Sequence, residues 1–69
     1  MTTYNQFMNL KKQSDILKVI EREFGFVFMR QSGSHMIYNK AGFSCLSIPN
    51  TREIARGTLR NIAKIIFGE

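Results

Sequence analysis

The residues that decide the fold are Phe26-Val27-Phe28-Met29-Arg30-Gln31, then Ser32-Gly33-Ser34, then His35-Met36-Ile37-Tyr38-Asn39. The first run is rich in aromatic and β-branched side chains and predicts a strand over 26–31. Ser32-Gly33-Ser34 has the chemistry of a tight turn, and a second strand is expected over 35–39. Asn39-Lys40-Ala41-Gly42 is the next turn, with Gly42 free to take a positive φ. Residues 43–48 predict a third strand, which Pro49 ends. Three strands joined by short turns form an antiparallel meander. Leu46 and Ile48 share one face of the third strand, and Phe43 and Cys45 the other. Neither face is clearly polar, so the pattern does not choose which way His35 points.

Upstream of the strands, Ser14 is a good N-cap and Asp15 puts negative charge at the positive end of a helix dipole. Ile16, Val19, Ile20 and Phe24 follow near helical spacing, and Gly25 is the natural stop, so a helix is expected over 14–24. Downstream, residues 52–55 are expected to form a single helical turn. A last helix follows Gly57, capped by Thr58 and ended by Gly68, with Leu59, Ile62, Ala63 and Ile66 as its core stripe. Residues 1–13 read as an N-terminal extension to a domain over 14–69. In the extension Thr3 and Gln6 fit a capping box, and Tyr4, Phe7 and Met8 share one helical face. The expected class is α+β: a two-layer α-β-β-β-α sandwich with both helices on one face of a three-stranded antiparallel sheet.

Composition narrows the function classes. At 69 residues there is room for one domain, and 43% hydrophobic content sets the chain apart from a disordered tail. Cys45 is the one cysteine, so no intramolecular disulfide can form, and it is expected as a small core residue in a reducing compartment. Apolar runs are too short to span a membrane, and residues 1–6 lack the basic and apolar regions of a signal peptide. The cytoplasm is the expected compartment. A net charge of +5 favours a polyanionic partner.

His35 is the only histidine, and imidazole is the side chain whose ordinary pKa of about 6.5 lets it take and give protons near neutrality. Its place at the first position of a strand suggests a rim. The plain alternative is a rim histidine that only hydrogen-bonds its turn. RNA supplies its own nucleophile, the 2′-OH, so a base, cations for the phosphate and in-line placement suffice to cleave it. His35 is the candidate base. Arg30 and Lys40 are candidate phosphate clamps at the two ends of the strand-turn region, and Gly33 would admit close backbone approach. Ser34 is either a phosphate donor or only a turn former. Arg52, Arg56, Arg60 and Lys64 recur every four residues. They read equally as a phosphate-tracking ridge or a solvated helix face, and an acidic surface on a protein partner is a further use for them. Phe26, Phe28, Phe43 and Tyr38 read as core or sheet packing, with Tyr38 kept open because its hydroxyl also suits a rim. Carboxylates are few and scattered beside one histidine, so neither a metal nor any other cofactor is expected.

Gly25-Phe26, Arg30, Gly33-Ser34-His35, Ile48-Pro49 and Gly57-Thr58-Leu59-Arg60-Asn61-Ile62 together resemble the HicA family of bacterial toxins, small ribonuclease partners of HicB antitoxins. The resemblance spans residues 14–68. It implies a double-stranded-RNA-binding-like fold, and it implies that His35 is catalytic in a metal-independent endoribonuclease acting on mRNA and silenced by a HicB-like antitoxin. Many members carry a second histidine where this chain has Thr51. Two rivals share the charge pattern: a non-catalytic RNA-binding module of the same fold, and an interaction domain for an acidic protein.

Overall fold

The computed structural model describes residues 1–68. Helix α1 (Tyr4–Met8) leads to α2 (Gln13–Lys18), which runs on into a π-helical turn (Val19–Glu23). Strands β1 (Val27–Ser32), β2 (His35–Asn39) and β3 (Leu46–Pro49) follow, and α3 (Arg56–Phe67) closes the fold. The strands form one antiparallel sheet in the order β1-β2-β3. This is the expected α+β sandwich.

Register decides which face the helices cover. Tyr38 lies opposite Leu46 and Met36 opposite Ile48. Tyr38, Leu46 and Ile48 are buried together with Ile16, Ile20, Leu59 and Ile62. Because side chains alternate along a strand, His35, Ile37, Ser47 and Pro49 share the opposite face, which no helix covers. The question that alternation left open is thereby answered: His35 looks out from the open side of the sheet.

Helix α2 begins at Gln13, not behind a Ser14 cap, and no side chain caps it. Backbone pairing takes the place of the cap. Lys12 bridges Glu53, Gln13 N–H donates to the Arg52 carbonyl at 3.0 Å, and Ile54 N–H donates to that of Lys11 at 2.9 Å. The same pairing keeps residues 52–54 from forming the expected helical turn. Helix α3 then starts at Arg56, with Thr58 inside its first turn and Ala55 at the cap position. Its stripe of Leu59, Ile62, Ala63 and Ile66 is buried as expected. At the end of the π-helical turn Gly25 takes φ 77°, and Phe26 N–H reaches back to the Ile20 carbonyl at 2.9 Å. The ammonium of Lys40 donates to the Phe24 carbonyl, another of the acceptors freed at that terminus.

The N-terminal segment is part of the core. Thr3 and Gln6 form a reciprocal capping box, and Phe7 is fully buried. Phe67 of α3 receives Tyr4, Phe7 and Phe24 edge-on, with ring centroids 5.7, 5.7 and 5.2 Å away. The Thr2 hydroxyl donates to Glu23 Oε2 at 2.6 Å. With the Thr2 backbone N–H beside it, that bond holds the Glu23 carboxyl below its usual range.

Two expectations need correction. β3 starts at Leu46 and not at 43, because residues 40–45 form a loop in which Phe43 turns back onto Phe26 at 5.4 Å. Cys45 therefore sits in that loop, exposed, and is not a core residue. Tyr38 packs in the core, as the main reading had it, and the rim left open for it is excluded; its hydroxyl donates to Glu21 Oε2 at 2.6 Å. Burial, and then the Glu21 carboxylate, push its pKa up to about 12. Phe28, read as packing, touches the Tyr38 ring edge-on at 5.6 Å but remains half exposed.

Candidate nucleic-acid site

A two-residue turn, Gly33-Ser34, delivers His35 to the start of β2. Gly33 takes φ 59°, a left-handed conformation that a side chain would strain even though space is open around it. Gln31 Nε2 donates to the Gly33 carbonyl at 3.2 Å and braces the turn from β1. On the other side Asn50 N–H donates to the Ser34 carbonyl at 2.7 Å. That bond flanks the His35–Pro49 pair, which is therefore the non-hydrogen-bonded kind, where partner side chains come closest. Proline suits this position because it has no N–H to leave unmet. Gln13, at the start of α2, donates to the Pro49 carbonyl at 2.9 Å. Three segments distant in sequence thus hold the rim on which His35 stands exposed.

Arg30 pairs with Ile37 and Ser32 pairs with His35. Arg30 is therefore the diagonal neighbour of His35 on the open face, a separation of about 7–8 Å in such pairs and within reach of a long side chain. Ser32, Gly33 and Ser34 adjoin the same spot. An exposed imidazole beside a guanidinium can exchange a proton at a site where an anion is held.

Lys40 lies elsewhere. It follows the far end of β2, five residues and about 16 Å along the strand from His35. Its ammonium serves the Phe24 carbonyl and sits 4.8 Å from the Phe43 ring centroid. Arg56, Arg60 and Lys64 are exposed on α3, away from its buried stripe, so three of the four stripe cations share a helix face. Arg52 precedes the helix. Its backbone, like that of Lys12, belongs to the segment pairing next to Gln13 and Asn50. That brings two exposed cations to the His35 end of the molecule. Lys12, Gln13 and Asn50 were not anticipated. No local pattern marks them, because only the long-range 12–53 pairing brings them there. Thr51, in the place of the second family histidine, donates its hydroxyl to the Glu53 carbonyl at 2.6 Å.

The family model described as HicA toxin of bacterial toxin-antitoxin matches residues 14–66. The chain belongs to the HicA toxin family. No curated protein and no solved structure matches it. The matched residues run from α2 through most of α3 and include His35, Arg30 and the Gly33-Ser34 turn. Helix α1, whose Phe7 fills the HicA-family core, lies outside them. Among the described residues no helix is long and apolar enough to cross a membrane, and no three His, Cys, Asp or Glu side chains gather in one place.

Proposed function

We propose that this HicA-family toxin is an endoribonuclease that cleaves mRNA without a metal, with His35 as its acid–base, and that a HicB-like antitoxin holds it silent in the cytoplasm. The observation that carries the reading is the pairing of one exposed imidazole, His35, with Arg30 as its diagonal neighbour on the open sheet face. In the reaction, His35 takes the proton of the ribose 2′-OH, and the 2′-oxygen attacks the adjacent phosphorus. The bond from phosphorus to the 5′-oxygen breaks, and that oxygen leaves with a proton, from solvent at so open a rim. The products are a 2′,3′-cyclic phosphate and a 5′-hydroxyl. General-base help of this kind is worth about 10²–10⁴-fold. Arg30 carries the charge that develops on the phosphate, and the Gly33-Ser34 backbone and the Ser34 hydroxyl position it. Arg56, Arg60 and Lys64 follow the RNA backbone on α3. We assign Lys40 to holding the helix end and not to the scissile phosphate.

Expression of the chain alone tests this reading. Wild type should arrest growth and deplete mRNA, and His35→Ala should do neither at equal protein level. Equal arrest from both would remove the catalytic role. RNA binding without loss of RNA would favour the non-catalytic module.

A further inference from the structure

The two edges of the sheet differ. β3 offers four residues and ends in Pro49, which cannot donate to a neighbouring strand. β1 offers six, all of them exposed, and among the described residues none pairs with its outer side. Val27, Phe28 and Met29 are 61%, 48% and 56% exposed. Three consecutive large apolar side chains on a free edge form a template for another strand. The register gives that template a chemistry. The register slips by one residue at Met29, so Phe28 belongs to the helix-covered face, opposite Tyr38, and Arg30 to the open face, opposite Ile37. Arg30 is the only charged residue of β1, in a chain of net charge +5. Repulsion between two such chains disfavours a second copy and favours an acidic occupant.

We propose that the free edge of β1 docks an extended, acidic segment of the protein partner, added as a fourth strand whose apolar residues line up with Phe28 and whose carboxylates meet Arg30. The proposal rests on the reading that a protein antitoxin restrains this toxin, and it says where and how. A carboxylate on Arg30 takes the guanidinium from the phosphate it would hold beside His35. Docking at this edge thus weakens RNA binding without contact with the imidazole.

The probe is a synthetic peptide of alternating glutamate and valine, seven residues long, titrated into the ¹⁵N-labelled full chain and followed by amide NMR. A lysine–valine peptide is the control. Expected are shifts and slowed hydrogen exchange over residues 27–32 with the acidic peptide alone. Met29→Glu places a negative charge on the edge and should weaken the acidic peptide at least tenfold. Gln31→Pro tests the backbone. Ser32↔His35 closes the hairpin as a hydrogen-bonded pair, so the Gln31 N–H points outward and should be needed by an added strand. Amide spectra of both variants report whether they fold, and loss of binding in either folded variant supports the docking edge. Shifts confined to Arg56, Arg60 and Lys64 would overturn the proposal. So would β1 protection that depends on protein concentration without peptide, or equal protection by an RNA oligonucleotide. The titration is repeated on His35→Ala, so its outcome does not depend on whether the chain cuts RNA.

Discussion

Arg30 and His35 stand on neighbouring strands, and the tasks proposed for them differ, so a substitution at each should read out differently. Arg30→Ala removes one cation from the phosphate, so RNA affinity should fall and the slope of log affinity against log salt should flatten by about 1. An unchanged slope would mean that Arg30 touches no phosphate. Tyr38 gives a pH test of the packing beneath. Its hydroxyl titrates near 10 when unfolded and at about 12 in the native chain. Between those values the unfolded state has lost a proton that the native state still holds, so stability present below pH 10 declines as pH rises toward 12. Urea midpoints across that window should drop more for wild type than for Tyr38→Phe; parallel curves would show that Tyr38 is not the group responsible. At this scale the sequence singled out His35 and Arg30 as candidates from the Gly-Ser turn beside them, and the register puts both on the open face. It read Tyr38 as packing but left a rim open for it, because nothing in the strand pattern shows that Glu21, 17 residues away, meets its hydroxyl.

Elements that depend on local chemistry were legible. The β meander, the glycine at the end of the first long helix, the stripe of α3 and the Thr3–Gln6 capping box all follow from neighbours a few residues apart. Elements set by distant pairing were not. The extended 52–54 segment, the uncapped start of α2 and the late start of β3 each answer to a partner far along the chain: Lys12 for Glu53, Arg52 for Gln13, Phe26 for Phe43. Helix α1 makes the strongest prediction here. Five residues cannot hold a helix in water alone, so its order comes from Phe7 packing against Phe67. Phe7→Ala should cost about 3–5 kcal/mol, as for other buried phenylalanines. In a domain of this size that lowers the melting temperature by roughly 15 °C or more. A shift of only a few degrees would show that α1 rests on the fold without supporting it.

For the whole molecule, a small core limits stability and surface charge directs binding. The helices and one sheet face are used up in building that core. The other face is free, and it carries His35, Arg30 and the serines of the turn. Such a division suits a small toxin: one side builds the core, the other presents the candidate pair His35 and Arg30, and a free edge adjoins the second. The account depends on His35 moving protons without a metal. Its most direct test is incubation of end-labelled RNA with purified chain in excess EDTA, wild type beside His35→Ala, with circular dichroism matched. Wild type should cut and leave 2′,3′-cyclic phosphate ends, and the variant should be slower by at least about 10². Equal cutting by both proteins, or cutting that EDTA abolishes, would contradict the account.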